Sequence, residues 1–326
     1  MKKWMIEALI CPECLIKDRK LEIPLSPEIH SETDADILEG SLSCPDCGRK
    51  YDISEGIAVV VPEATLPITR ETTGYGSFSM LSSYLWSHFS EFFNGPDATD
   101  AYKKWASAFG STNGKNRETA WALDIGCSVG RLTFELTKTH ARAIGIDTST
   151  SFIRAAREVA ARQHLEFDMI LEGQIMKKQS SSLDPDFRYH HAEFIVADAM
   201  ALPFRSGRFA TAGTVNILEK VPDPSVHLAE ANRVMDKENA DFLFSDPFTW
   251  DEAVNSPDLW LGGRNEGPFQ GYGMDNVTRL LREETGIFAP GFDILSSGEV
   301  EWKIRKTRHL REHITSQFII ARRQSR

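Results

Sequence analysis

The sequence has no apolar run long enough to cross a bilayer, and none near its start that reads as a signal peptide. Met1-Lys2-Lys3-Trp4-Met5-Ile6-Glu7 leads quickly to Cys11, so a cytoplasmic protein without membrane attachment is expected. A basic excess is also missing: 37 Lys and Arg stand against 47 Asp and Glu, a net charge of -10. That balance argues against long nonspecific tracking along nucleic acid and fits a small or neutral substrate better. Internal repeats and low-complexity tracts are absent. Cysteine is scarce, at five residues in 326, and four of the five form two Cys-Pro-x-Cys pairs. Without an export signal, such pairs read as metal ligands and not as disulfides. At 41% hydrophobic and 26% charged, the chain is otherwise of ordinary globular composition, long enough for one large domain and one small one.

What is present falls into three parts. Cys11-Pro12-Glu13-Cys14 and Cys44-Pro45-Asp46-Cys47 each offer two thiolates from one tight turn. Together they supply four sulfur ligands for a tetrahedral zinc ion, whose closed coordination would scaffold and not react. Residues 1–63 form this unit, ending on the apolar strand Ile57-Ala58-Val59-Val60-Val61 and closed by Pro62. Residues 64–118 hold Pro67, Gly74, Gly76 and Gly95, with aromatic helical patches at Tyr84 to Phe89 and Tyr102 to Trp105; they read as a linker with capping helices. From residue 119 to 326, short apolar strands alternate with amphipathic helices, the pattern of a parallel α/β sheet with crossover helices. Strands are expected at Trp121–Ile125, Ala143–Ile146, Glu193–Ala197, Phe209–Val215 and Asp241–Ser245. Two last runs, near Phe292–Leu295 and Gln317–Ala321, have no helix between them and should pair antiparallel at the edge, making seven strands. Leu165 to His191 is longer than a usual crossover and is expected to be an insertion or a flexible lid.

The chemistry concentrates where the first of these strands ends. After Asp124, small residues recur at Gly126, Ser128 and Gly130, so the backbone can approach a ligand closely as it turns into a helix. A dinucleotide fingerprint needs small residues at the first, third and sixth positions; counted from Gly126, the sixth is Arg131, which disfavours NAD. Asp147 ends the second strand 21 residues after Gly126, where a carboxylate can accept from both ribose hydroxyls of a nucleoside. Cys127 sits in the loop without a basic neighbour in sequence and reads as packing, not as a nucleophile.

Leu123 to Arg131, Val196 to Phe204 and Thr214 to Pro224, taken in order, resemble the cofactor segments of S-adenosylmethionine-dependent methyltransferases of the Rossmann-like class. Most of those enzymes have glycine where Ser128 stands. The resemblance implies that Asp198 accepts from the adenine amino group and that Asn216 borders the methyl group. The candidate donor-binding set is Asp124, Gly126, Cys127, Ser128, Gly130, Asp147, Thr148, Asp198, Ala199 and Asn216. Residues 5–63 resemble the small zinc-ribbon activator proteins that bind methyltransferases, which implies a protein partner for the ribbon. Some bacterial ribosomal-RNA guanine methyltransferases also look like a zinc ribbon fused to this catalytic fold, which leaves RNA open as a second substrate class.

A more specific pattern follows: Ser245 to Glu252, Leu259-Trp260-Leu261-Gly262-Gly263, then Ile304 to Thr307 and His313. With Leu123 to Arg131 and Asn216 to Glu219, it resembles the methyltransferase domain of ovothiol biosynthesis over residues 120–324. That resemblance implies a small imidazole- or amino-acid-like acceptor; for such an acceptor Asp246, Asn216 or a nearby histidine would orient the ring, Trp250 and Trp260 would wall the pocket, and Arg305 would hold a carboxylate. The sulfoxide-synthase part that often precedes that domain is replaced here by the ribbon. The RNA reading would rest on Arg305, Arg308, Arg311, Arg322, Arg323 and Arg326; a third reading is a non-catalytic module that only holds the cofactor.

Overall fold

The structure, a computed structural model, describes residues 1–93, 95, 97–111 and 117–324. The cysteine-rich unit holds helix α1 (Pro12–Lys17) and strands β1 (Ser26–Glu32), β2 (Ile37–Ser43), β3 (Lys50–Ser54) and β4 (Ile57–Val60), paired antiparallel in chain order. Along β3, Tyr51 and Ile53 are buried while Lys50, Asp52 and Ser54 face solvent, the period-two pattern of a half-covered strand. The linker folds into helices α2 (Leu66–Thr69), α3 (Phe78–Phe89) and α4 (Ala101–Ser111). Ser77 Oγ caps α3 by accepting from Met80 N–H, which satisfies one of the donors a helix start leaves open.

Strands and helices then alternate: β5 (Trp121–Ile125), α5 (Arg131–Thr137), β6 (Arg142–Asp147), α6 (Thr150–Arg162), β7 (His164–Glu172), β8 (Ile175–Ser182), β9 (Ala192–Ala197) and β10 (Thr211–Val215). The chain continues through α7 (Pro224–Val234), β11 (Asp241–Asp246), α8 (Gly273–Arg282), β12 (Phe292–Arg305) and β13 (Arg311–Arg323). Strands β9 and β11 are buried at every residue, as parallel strands covered on both faces must be. Among the described residues no helix is long and apolar enough to cross a membrane.

The sheet order is β1-β2-β3-β4-β9-β6-β5-β10-β11-β13-β12. The seven runs expected as strands are present, in the order β9-β6-β5-β10-β11-β13-β12, and the four strands of the cysteine-rich unit extend the same sheet to eleven. Strands β9 to β12 of that order are continued because β4 pairs in parallel with β9, Val59 opposite Val196 and Val60 opposite Ala197. The physical reason lies in β4 itself, which is buried at three of its four positions and so needs cover on both faces. The edge pair is antiparallel as expected, β12 against β13 and β13 against β11. Leu165 to His191, expected as an insertion or a flexible lid, is an insertion between α6 and β9: most of it is the hairpin β7–β8, pinned to α3 where Ser82 Oγ donates to Asp168 O (3.0 Å) and accepts from Ile170 N–H (3.2 Å).

Strand order reverses around β5, which lies between β6 and β10, so the crevice for a ligand opens at the carboxyl ends of these strands. The opposite end is tied by Asp241 at the start of β11, fully buried and paired with Arg117 ahead of β5 and with Arg322 of β13 (Nε to Oδ1, 2.8 Å). Removing the carboxylate that these two guanidinium groups share should cost on the order of 3–5 kcal/mol. Asp241→Ala is expected to lower the urea-unfolding free energy by that amount; a loss below about 1 kcal/mol would contradict the assignment.

Candidate functional site

A cavity of about 690 Å³ lies at the carboxyl ends of β5, β6, β9 and β10, within the usual size of small-molecule sites. Its floor is the turn after β5. Gly126 and Cys127 both donate their N–H to Ile146 O (2.9 and 2.8 Å), and Gly126, Ser128 and Gly130 take left-handed φ values of 75°, 50° and 86°. A Cβ on Gly126 would stand 2.6 Å from Ile217 Cδ1, and one on Gly130 would stand 2.6 Å from the Phe194 ring. Glycine at the first keeps the approach to the cavity open, and at the second it lets α5 close on the sheet.

Ser128 N–H donates to Asp147 Oδ2 (3.0 Å), while Ser128 Oγ is buried with no partner. Asp147 Oδ1 accepts from Ser149 N–H (2.8 Å), and burial pushes its carboxyl up to about 6. Asp198 Oδ1 accepts from Met200 N–H (2.8 Å) and Oδ2 accepts from the Thr65 hydroxyl, which fixes the carboxylate plane. Asn216 has a left-handed φ of 57°, donates its N–H to Ser245 O (2.7 Å), and leaves both side-chain amide atoms buried without partners. Thr148 and Ala199 complete the expected residues that line the cavity.

Three members of the donor-binding set do not line it. Asp124 lies within β5, accepting from the Thr133 hydroxyl (2.7 Å), with its carboxyl pushed up to about 7 by burial. Cys127 packs in the apolar cluster with Phe134 and Phe194, where burial pushes its thiol well up and away from the nucleophilic thiolate. Gly130 serves the packing just described.

The acceptor residues expected after β10 are displaced as well. Asp246 is fully buried and accepts from Leu218 N–H (3.0 Å) and Phe248 N–H (2.8 Å); both oxygens tie neighbouring loops, and burial with Glu219 nearby pushes its carboxyl well up. Trp250 and Trp260 stack on each other (5.9 Å, 14°), Trp260 Nε1 donates to Asn255, and a Cβ on Gly263 would meet the Trp250 ring at 3.0 Å. They pack a loop and do not wall the cavity. Alternation along β12 puts Trp302 and Ile304 in the wall and turns Arg305 away, where its Nε donates to Thr307 O (3.1 Å).

Residues not foreseen take their places. Tyr75, Tyr84 and Tyr102 come from the capping segment, and Trp302, Ile304 and Ile314 from the β12–β13 hairpin. The period-two apolar series Val300, Trp302, Ile304 was the available signal for the hairpin. Glu219 accepts from the Thr249 hydroxyl (2.6 Å) and pairs with Lys220 (2.9 Å), while Lys306 and Glu312 are 3.5 Å apart; all four charged groups line the cavity.

In the N-terminal unit, Cys11 Sγ lies 3.6 Å from Cys47 Sγ, and Cys14 Sγ lies 3.6 Å from Cys44 Sγ. All four sulfurs fall within 4.8 Å of one another. A disulfide requires about 2.0 Å, whereas sulfurs at about 2.3 Å from a central zinc form a tetrahedron with edges of about 3.8 Å. The donor set therefore fits zinc. Cys14 N–H donates to Cys11 Sγ (3.4 Å), and Tyr51 Oη is 3.1 Å from the same sulfur, the outer contacts that orient metal thiolates.

Residues 123–240 match the family model of a methyltransferase domain, and residues 2–56 match that of Trm112p-like protein. No curated protein matches the chain. Similar solved structures include a SAM-dependent methyltransferase from Methanosarcina mazei (24% identity, 64% of this chain and 94% of that one, TM-score 0.40). A SAM-dependent methyltransferase from Aquifex aeolicus is 14% identical over 74% of this chain and 98% of that one, with a TM-score of 0.41. Haemonchus contortus phosphoethanolamine N-methyltransferase 2 in complex with S-adenosyl-L-methionine is 14% identical over 60% and 37%, with a TM-score of 0.40. The domain match makes residues 123–240 a methyltransferase domain with S-adenosylmethionine as donor, preceded over residues 2–56 by a Trm112-like unit whose four cysteines fit zinc.

Elemental analysis of the purified protein should find about one zinc ion per chain, the number a single four-sulfur site holds. Cys47→Ser is expected to lower both the zinc content and the thermal midpoint. A metal-free wild type that melts no earlier would mark the four thiols as core packing alone.

Proposed function

We propose that this enzyme methylates a small, amino-acid-like nucleophile, imidazole-type acceptors included, held in the cavity beside the turn after β5. The observation that carries the reading is the set of buried polar atoms there without partners, Ser128 Oγ and both amide atoms of Asn216. Each such atom costs about 1–3 kcal/mol until something bonds it, and a polar ligand in the cavity would. On this reading Asp147 accepts from the ribose hydroxyls of the donor, and Asp198, held by Thr65, uses a remaining lone pair for the adenine amino group. Thr148 and Ala199 flank the nucleoside, and Asn216 borders the transferring methyl. The bound donor supplies an activated sulfonium methyl. The chain's own part is to align the acceptor's lone pair with it and keep water out.

Two features favour a small acceptor over RNA. The cavity is covered by Tyr75, Tyr84 and Tyr102 and flanked by Trp302 and Ile304. The arginines that would hold RNA are largely engaged: Arg311 pairs with Asp97, Arg322 with Asp241, and the buried Arg323 donates to Pro290 O (2.8 Å) and Phe288 O (3.2 Å). Arg308 is exposed, and Arg326 lies outside the described residues. With Arg305 turned away, Lys306 and Glu312 supply a cation and an anion for a zwitterionic acceptor. The partner of the ribbon, on the same reading, is the chain's own methyltransferase domain, since Arg19 donates to Met200 O (3.1 Å) and Ile10 N–H to Pro203 O (3.0 Å).

Incubation with labelled S-adenosylmethionine, a metabolite extract and total RNA should place the label in small molecules; label in RNA alone would overturn the proposal, and absence of any product would favour a module that only holds the cofactor. The donor assignment carries its own pH signature. The ionised form of Asp147 accepts from ribose, and its carboxyl is pushed up to about 6. Below that pH, binding must displace a proton, so affinity for S-adenosylhomocysteine should fall with pH, by at most about tenfold per unit. Above about 6 it should level off, and Asp147→Ala should weaken binding and flatten the curve. Calorimetric affinities that agree between pH 5 and 7.5 would refute the ribose role.

A further inference from the structure

The capping helices hold a buried pair outside the matched domain. Tyr102 Oη on α4 lies 2.8 Å from His88 Nε2 on α3, the ring centroids are 4.1 Å apart, and both residues are buried, at 8% and 2% exposure. His88 Nδ1 has no hydrogen-bond partner. Burial and the Arg131 guanidinium push the imidazole well below its ordinary range, so it is neutral and carries one ring proton. A proton on Nδ1 would be a buried N–H without an acceptor, the costlier kind of orphan. A proton on Nε2 is donated to Tyr102 Oη instead. In that tautomer the Tyr102 hydroxyl accepts from His88, and its own proton is left to point elsewhere. Tyr102 lines the cavity, so a ligand there is the acceptor within reach.

The sheet order says which part of the ligand lies there. Asp198 follows β9, Asp147 ends β6, the glycine turn follows β5 and Asn216 follows β10, and these strands are neighbours in that order. A donor with adenine at Asp198 and ribose at Asp147 lays its methionine portion over β5 and β10. Tyr102 packs in one apolar cluster with Ala122 of β5 and Val215 of β10. The anionic group of that portion is its α-carboxylate.

We propose that the Tyr102 hydroxyl donates to the α-carboxylate of the methyl donor, with His88 as the positioning residue that turns the hydroxyl proton toward it. This rests on the donor reading given above. Calorimetry with two probes tests it: S-adenosylhomocysteine carries the carboxylate, and 5′-methylthioadenosine has the same nucleoside and thioether without it. Tyr102→Phe should weaken S-adenosylhomocysteine binding about tenfold or more, as loss of a hydrogen bond to a charged group does, and leave methylthioadenosine binding unchanged. His88→Leu should reproduce part of that selective loss, and His88→Gln, whose amide keeps a donor for Tyr102, should restore it. An unchanged S-adenosylhomocysteine affinity in Tyr102→Phe, or an equal loss for both probes, would overturn the assignment. A wild type that binds neither probe would overturn the donor reading and this assignment with it.

Discussion

The site depends on how the chain leaves β5. Three left-handed residues in five, Gly126, Ser128 and Gly130, turn the backbone so sharply that two successive N–H groups share Ile146 O and the next reaches Asp147. Left-handed backbone is nearly free for glycine and costs a serine on the order of 1 kcal/mol. Ser128 occupies it all the same, and its hydroxyl is left buried and unpaired beside the cavity. The turn thus sets three things together: a floor that a ligand can approach, a fixed Asp147 carboxylate, and a polar atom waiting for a partner.

The zinc-type knuckles reach the same cavity through the backbone. Glu13 of the first knuckle accepts from Glu63 N–H (2.9 Å), and Arg49, just past the second, pairs with the Glu63 carboxylate (2.9 Å). Two residues on, Thr65 holds Asp198. From the other side Arg19 and Ile10 hold the Met200 and Pro203 carbonyls of the segment that follows Asp198. With β4 added to the sheet beside β9, the ribbon is a wall of the catalytic domain and not a separate bead. A metal held by the four thiols would therefore bear on the shape of the cavity where Asp198 lines it.

Legibility in the sequence followed the range of the interactions. Trp121–Ile125 and the strands after it were readable because a buried parallel strand must be predominantly apolar, a local demand. The four cysteines were readable because two tight turns supply all four ligands. Of the candidate donor set, Gly126, Ser128, Asp147, Thr148, Asp198, Ala199 and Asn216 border the cavity, each at or just after the end of a strand that the pattern located along the chain. Asp246, Trp250, Trp260 and Arg305 were singled out by motif, and motif does not say which way a side chain faces. Asp246 is consumed by two backbone N–H groups, and Arg305 is one position out of phase with the wall.

By itself the sequence determined the α/β sheet, the four-cysteine knuckles and the strand-end residues that border the cavity, because periodicity, turn chemistry and strand ends are properties of neighbours along the chain. Only the tertiary structure decided that the ribbon extends the sheet to eleven strands, that tyrosines from the capping helices and the β12–β13 hairpin close the cavity, and that His88 meets Tyr102. Those outcomes depend on which apolar faces cover one another across long separations, and many sequence-distant partners satisfy the same local pattern.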